Sequence, residues 1–246
     1  MRYFLELSYL GTQYCGWQRQ PNAPSVQQSI EDAIKIMTRH SIEVVGCGRT
    51  DTGVHASHYM LHVDLEETID EPGKWVYRLN AILPADISIH RLIPVHPDAH
   101  ARFDAQSRTY QYHIHFNKNP FLLHTSVYRR KVPDISLMNK ACEVLLNTDD
   151  FTSFAKLHAD NKTNRCKVTQ AIWTATETGM VFTISADRFL RNMVRAVVGT
   201  SLEIGEGKQP ISHMSEVIKA QDRSAAGMSV DAKGLFLTHI SYPYIP

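Results

Sequence analysis

The sequence has little of what marks secreted, zinc-binding or membrane proteins. Its 246 residues contain only four cysteines, which are widely spaced and form no C-x-x-C pair. We therefore expect reduced and mostly buried thiols rather than a disulfide or zinc framework. No apolar run approaches the roughly 20 residues that a membrane span needs, and no signal-peptide pattern opens the chain. These absences predict a soluble, cytoplasmic protein without a membrane partner.

Patterns that bind cofactors or metals are missing as well. There is no P-loop and no Rossmann glycine fingerprint, since the G-x-G at residues 46–48 is isolated. Thirteen histidines raise the question of a metal site. On a strand, however, His58 and His62 would lie about 13 Å apart, too far to share an ion. His113 and His115 are closer but lack an obvious third ligand, so we expect no metal site.

An excess of charge of one sign is also absent. Lys and Arg number 26 against 25 Asp and Glu, which gives a formal net charge of +1. The overall charge therefore neither demands nor excludes a polyanionic partner, and any such partner must be held by local basic patches.

The chain does contain a mixed pattern of strands and helices. The segment YFLELSY alternates, with its Tyr and Leu residues on one face, which is typical of a strand. In SVQQSIEDAIKIMTR, Ser25 and Gln28 form a capping box ahead of apolar residues at helical spacing, which predicts a helix. We expect an α+β fold of two similar halves, residues 1–105 and 106–246. Each half would have a mainly antiparallel sheet backed by helices.

The stretch GCGRTDTGVHA contains Asp51, Thr52 and Gly53, the tripeptide found around the catalytic carboxylates of aspartic proteases. Such proteases need two carboxylates that share a proton, and this chain has one Asp-Thr-Gly. If the segment is extended, Arg49 projects on the side of Asp51, and a guanidinium favours the ionised carboxylate. An ionised aspartate suits a nucleophile or a general base. The alternative is a structural ion pair or an Asx turn before Gly53.

The wider sequence separates these alternatives. GRTDTGVHA resembles the G-R-T-D-A-G-V-H-A signature of the pseudouridine synthases of the TruA type, with Thr52 in place of the usual alanine. Because Asp51 and Arg49 are retained, we expect the threonine to be tolerated. Further blocks stand in family order along nearly the whole chain: GTQYCGWQRQPNAPSVQQSIEDAI, LNAILPADI, HARFDAQSRTYQYHI, DFTSFAK, FLRNMVRAVVGTSLEIG and AKGLFLTHISYP.

The resemblance implies the pseudouridine synthase fold, with an active-site cleft between the halves, and a homodimer that needs no cofactor. It implies isomerisation of uridine to pseudouridine at positions 38 to 40 of the tRNA anticodon stem-loop, with Asp51 as the catalytic carboxylate. Whether Asp51 attacks the base, attacks the sugar or abstracts a sugar proton stays open. By the same family match, Arg195 from the other half pairs with Asp51 and keeps it charged.

Further substrate contacts also follow from the resemblance. Tyr110 stands where the family stacks the flipped base, although its alternation with Tyr112 on one strand face would also suit a core residue. Leu235 would complete the apolar wall of the pocket. Arg49 and Arg195 belong to the same substrate-binding set, and His55 has no assigned role.

Candidate contacts to the RNA backbone are all basic side chains, each of which is more often an ordinary surface charge than a contact. The candidates are Arg19, Arg102, Arg108, Arg188 and Arg191, together with the groups Arg129, Arg130 and Lys131, and Lys162, Arg165 and Lys167. If the segment FLRNMVRAVVG is helical, Arg188, Arg191 and Arg195 share one face.

A second class of function is a non-catalytic relative that binds RNA and chaperones its folding. The presence of Asp51, Arg49, Tyr110 and Arg195 argues against it, because binding alone does not require a nucleophile.

Overall fold

The computed structural model describes residues 1–156 and 162–245. The chain forms two compact units, one made of Met1–Gln106 with Leu237–Pro246 and the other of Ser107–Phe236. Both combine antiparallel strands with helices, so the predicted α+β class is confirmed. Among the described residues, no helix has the length and apolar character needed to cross a membrane.

The first unit is built on a sheet whose central strand is the first one in the chain. Its elements are β1 (Arg2–Tyr9), α1 (Val26–Thr38), β2 (Val44–Gly46), β3 (His55–Asp64), α2 (Pro72–Ile82) and β4 (Ile87–Pro94). β1 pairs antiparallel with β3 on one side and with β4 on the other, and β2 pairs antiparallel with β3. The predicted alternation of β1 is confirmed, because its Tyr and Leu side chains are all buried.

Helix α1 begins where the capping pattern predicts. The Ser25 hydroxyl accepts a hydrogen bond from the backbone N–H of Gln28 at 3.2 Å, which satisfies one of the free donors of the first turn. Val26, Ile30 and Ile34 are buried at helical spacing. The helix therefore presents one apolar face to the interior of the unit.

The second unit repeats the combination of an antiparallel sheet and helices. Its elements are β5 (Ser107–His115), β6 (Val127–Tyr128), α3 (Ile135–Cys142), β7 (Val168–Ala175), β8 (Gly179–Ala186), α4 (Met193–Gly205) and α5 (His213–Ala220). β8 pairs antiparallel with β5 and β7, and β6 is parallel to β5. α3 packs against α4 and β7. The last strand, β9 (Leu235–Ser241), begins in this unit and ends in the first.

The predicted helix over FLRNMVRAVVG begins later than the pattern suggests. Asn192 has a left-handed φ of 68°, and α4 starts only at Met193. Before it, the Asp187 carboxylate accepts the backbone N–H of Arg188, and the Arg191 carbonyl accepts that of Lys156. These bonds hold the preceding residues in a non-helical path. The expectation that Arg188 and Arg191 share a helical face with Arg195 is therefore wrong.

Candidate active site

Asp51 lies, half-buried, on the loop between β2 and β3, and the backbone on both sides of it is held in place. The carbonyl of Thr50 accepts the N–H of Trp17 at 3.3 Å, and the N–H of Gly53 donates to the carbonyl of Tyr14 at 3.3 Å. A third bond, from Val54 N–H to the Asp51 carbonyl at 3.1 Å, closes the turn. Because all three bonds involve main-chain atoms only, they fix the Asp51 backbone whatever the side chain at that position.

Glycines allow the segment at residues 11–17 to lie directly against this loop. A Cβ atom on Gly16 would lie 2.3 Å from the Thr50 carbonyl oxygen, and Gly16 has a φ of +89°. A Cβ atom on Gly11 would lie 2.0 Å from the Val54 carbonyl oxygen. Side chains other than hydrogen are thus excluded by both sterics and backbone conformation at Gly16, and by sterics at Gly11.

Buried side chains also support the loop that carries Asp51. The hydroxyls of Tyr9 and Thr50 are hydrogen-bonded at 2.9 Å, and the Tyr59 hydroxyl donates to the Gly48 carbonyl at 2.5 Å. Trp17 stacks on Tyr59 with ring centroids 4.1 Å apart. Sequence reasoning did not find this support, because its members come from three separate segments and each is an ordinary core residue by pattern.

His55, which the sequence left without a role, belongs to this support as well. It is fully buried, and its Nδ1 accepts the backbone N–H of Gly11 at 2.9 Å. In the neutral ring the proton is therefore on Nε2. His55 joins the start of β3 to the glycine segment that holds the Asp51 loop.

Arg49 and Thr52, the near neighbours of Asp51, both have exposed side chains. Within residues 1–156 and 162–245, Arg49 forms no hydrogen bond or ion pair, so it does not pair with Asp51 as an extended segment would suggest. The chain turns at Thr52 and Gly53 and is not extended there, which removes the geometric premise of that pairing. The extra hydroxyl of Thr52 meets solvent.

In the second unit, Arg195 lies in the first turn of α4 and is oriented by the backbone of a neighbouring loop. Its Nε donates to the Val230 carbonyl at 2.7 Å, and the Val230 N–H donates to the Arg195 carbonyl at 3.2 Å. That loop is held in turn by Ser229, whose hydroxyl accepts from Arg223 at 2.8 Å and from Asn192 at 2.5 Å. The orientation of the Arg195 guanidinium is therefore fixed by the loop at Ser229 and Val230, which is itself held by hydrogen bonds.

Tyr110 and its neighbour Tyr112 on β5 differ in environment. Tyr112 is fully buried and donates its hydroxyl to the Asp231 carbonyl at 2.9 Å. Tyr110 is only half-buried, and its ring meets Phe189 edge to face at 5.1 Å. The core role that the alternation suggested for both thus belongs to Tyr112. Leu235 is buried at the first position of β9.

Comparisons with known proteins bear on this arrangement. A family model described as tRNA pseudouridine synthase matches residues 7–104 and 141–243. The chain belongs to the tRNA pseudouridine synthase family. The tRNA pseudouridine synthase A of Parabacteroides distasonis is 51% identical over 245 residues, which cover 98% of this chain and 96% of the relative. Proteins of the same name from Porphyromonas gingivalis and Shewanella amazonensis are 51% and 38% identical, again over 98% and 99% of this chain and 97% and 94% of their own.

As a member of this family, the chain is an isomerase that forms pseudouridine from uridine in tRNA. The predicted pseudouridine synthase fold and class of enzyme are confirmed.

For a tRNA pseudouridine synthase, the basic side chains matter as possible contacts to phosphate, and many already have protein partners. Arg19 forms an ion pair with the buried Glu31 at 3.0 Å, and Arg129 forms one at 2.9 Å with Glu206, whose side chain is 8% exposed. Arg108 donates to the Asp187 carbonyl at 2.8 Å. Each of these bonds uses an N–H of a guanidinium group, which carries five N–H donors in all.

Two other candidates contact neighbouring loops weakly, and the rest are exposed. Arg188 donates to the Thr163 carbonyl at 3.3 Å, and Arg165 lies 3.5 Å from Asp149. Lys131 is exposed but donates its Nζ to the Glu206 carbonyl at 2.5 Å. The other exposed side chains are those of Arg102, Arg130, Lys162, Lys167 and Arg191.

Replacing Gly16 by alanine is expected to destabilise the synthase by about 2 kcal/mol or more, because the methyl group would meet the Thr50 carbonyl and the φ of +89° disfavours any side chain. Urea-induced unfolding would measure the change in free energy. Gly48→Ala in the same loop is the matched control. Apart from Gly48 and its two chain neighbours, no described heavy atom lies within 4 Å of a Cβ there, so its effect should stay within about 0.5 kcal/mol. Equal effects of the two variants would contradict the packing argument.

Proposed function

We propose that this synthase converts uridine to pseudouridine at positions 38 to 40 of the tRNA anticodon stem-loop, with Asp51 as its catalytic carboxylate. The observation that carries the proposal is the placement of Asp51 on a loop whose backbone is hydrogen-bonded on both sides and packed against glycine. A reacting group has to be held rigidly in position, and such support is costly to maintain around an ordinary surface aspartate.

The chemistry needs no cofactor. The glycosidic bond between C1′ and N1 breaks, the uracil turns, and a new bond forms between C1′ and C5. The hydrogen on C5 then leaves as a proton while N1 gains one, so atoms and charge balance without an oxidant or a group donor. Attack of Asp51 on the base, attack on the sugar and abstraction of a sugar proton all require an ionised carboxylate near the glycosidic bond.

The remaining site residues are assigned by the family resemblance. Arg195 keeps Asp51 ionised, and Tyr110 offers an aromatic face to the flipped uracil, a contact that contributes about 1–3 kcal/mol per base. The half-buried ring of Tyr110 supports this role, since a fully buried ring could not stack on a ligand. Leu235 lines the pocket, and the exposed Arg49 contacts the RNA.

The RNA backbone would be gripped by Arg19, Arg102, Arg108, Arg188 and Arg191. We further propose that the enzyme acts as a homodimer in the cytoplasm, where joining two basic patches would compensate for the near-neutral net charge.

Tritium release tests the activity and the position together. Transcripts of tRNA carrying tritium at C5 of uridine should lose label to water as the new carbon–carbon bond forms. Three transcripts would each keep uridine at one of positions 38, 39 and 40, and a fourth would have none there. Release from at least one of the three, but not from the fourth, is expected. Release from the fourth would place the modified uridine elsewhere, and no release from any tRNA would favour the relative that only binds RNA.

A further inference from the structure

An exposed aromatic ring stands out in the first unit. The side chain of Phe103 is 74% exposed and lies on a turn in the connection between β4 and β5. Ala99 and Ala101, which precede it, are fully buried. Exposed single apolar residues are common on proteins, so exposure alone says little. What distinguishes Phe103 is how firmly its turn is held.

Hydrogen bonds to His100 and Asp104 fix the turn at both ends. The Nδ1 atom of His100 accepts the N–H of Arg102 at 3.1 Å and that of Phe103 at 3.3 Å. The Asp104 carboxylate accepts the N–H of His100 and the hydroxyl of Tyr244, both at 2.7 Å. The backbone N–H of Phe103 thus donates to His100, and the backbone of His100 is held in turn by Asp104.

A buried histidine on β3 binds the middle of the turn that carries Phe103. The Nδ1 of His62 accepts the N–H of Ala101 at 3.1 Å, and its ring meets that of His100 at 4.7 Å. Burial lowers the pKa of His62 to about 4, so this acceptor is neutral and available at neutral pH. The hydrogen bond from Ala101 to His62 is therefore retained at neutral pH.

The surroundings of the Phe103 ring are both aromatic and cationic. The His100 ring lies 4.3 Å from it at an interplanar angle of 33°, and the Arg102 guanidinium carbon lies 5.5 Å from its centroid. Arg102 is exposed as well. An exposed aromatic ring with a cation over it matches the two parts of a nucleotide, a base that stacks and a phosphate that is negatively charged.

The position of this turn separates it from the reacting base. Asp51 precedes the first residue of β3, His55, whereas His62 near the other end of β3 contacts the turn. The seven residues from His55 to His62 span about 23 Å at the rise of a strand. A nucleotide that binds Phe103 would therefore be several nucleotides away from the uridine at Asp51.

We propose that Phe103 and Arg102 form a second RNA contact, in which an unstacked base of the tRNA lies on the Phe103 ring and an adjoining phosphate meets Arg102. The inference rests on the proposed function in one respect, that Asp51 marks where the target uridine binds. A protein partner fits less well, because one aromatic side chain flanked by a cation is much smaller than the apolar core of a protein interface.

Tryptophan fluorescence tests the contact directly. Phe103→Trp places a stacking indole at the site, and Tyr77→Trp is the matched control, since Tyr77 on α2 of the same unit is 76% exposed. The native Trp17, Trp75 and Trp173 are buried, and the wild type measures how far tRNA changes their emission. On addition of tRNA, emission of the Phe103→Trp protein should be quenched beyond that of the wild type and of the control. Equal quenching in all three proteins would overturn the proposal.

Kinetics of tritium release give a second, independent readout. Loss of one base stack in Phe103→Ala should raise KM for tRNA about 5- to 150-fold with kcat unchanged, while Phe103→Tyr retains the wild-type KM. Tyr77→Ala should change neither constant. An unchanged KM in Phe103→Ala would contradict the proposed stacking of a tRNA base on Phe103 but would leave the proposed function intact. If the wild type releases no tritium, the proposed function fails, and quenching by tRNA still decides whether Phe103 contacts RNA.

Discussion

Replacing Asp51 by asparagine is expected to lower kcat for tritium release by about 10³-fold or more, while tRNA binding stays within about threefold of the wild type. The amide has nearly the same shape but cannot ionise, so it can act neither as a nucleophile nor as a base. Backbone geometry should persist, because the bonds that hold this loop join main-chain atoms of Thr50, Gly53 and Val54. Single-turnover release and a binding isotherm for labelled tRNA measure the two quantities separately.

Thr52→Ala is the matched control for this variant. It changes the adjacent residue to the one usual in the signature, and the Thr52 side chain is exposed, so kcat and tRNA binding should both be retained. Equal tritium release by Asp51→Asn and the wild type would remove Asp51 from the chemistry. Loss of tRNA binding together with activity would instead make the aspartate a binding residue.

Elements with a strong local signal could be predicted from the sequence. The alternation in β1 and the cap on α1 depend on neighbouring residues only, and both are confirmed. The start of α4 could not be read in this way. Apolar spacing continues backwards from Met193, but Asn192 takes a left-handed conformation and the carboxylate of Asp187 binds the backbone before it. The carbonyl of Arg191 also accepts the N–H of Lys156, which is distant in sequence, and bonds of this kind override a periodic pattern.

In the candidate site too, features with a local sequence signal could be predicted, and features that depend on distant contacts could not. Asp51 could be found because one short signature carries it. The support beneath it depends on contacts between residues about 35 positions apart, as between Gly16 and Thr50, and nothing in either segment alone indicates them. Phe103 was missed for a related reason. Its exposure depends on a turn held by His62 and Tyr244, which are distant in sequence.

Arg195→Met is expected to lower kcat for tritium release about 10²-fold or more and to destabilise the protein by about 1–3 kcal/mol, because a charged group loses its hydrogen bond to the Val230 carbonyl. Methionine keeps the apolar stem in α4 but loses both the charge and the Nε bond to Val230. If the proposed pairing with Asp51 holds, the aspartate then lacks the cation that keeps it ionised. Arg78→Met, at an exposed position on α2, is the control and should change neither quantity.

Combining Asp51→Asn with Arg195→Met decides whether the two residues act together. If the guanidinium acts through the carboxylate, the double variant should lose no more activity than Asp51→Asn alone, because a neutral amide has no charge to maintain. Its free energy of unfolding should also exceed the value expected from adding the two single changes, by about 1–2 kcal/mol. Losses of activity that multiply, with effects on stability that simply add, would show that Arg195 serves another purpose, such as binding RNA phosphate.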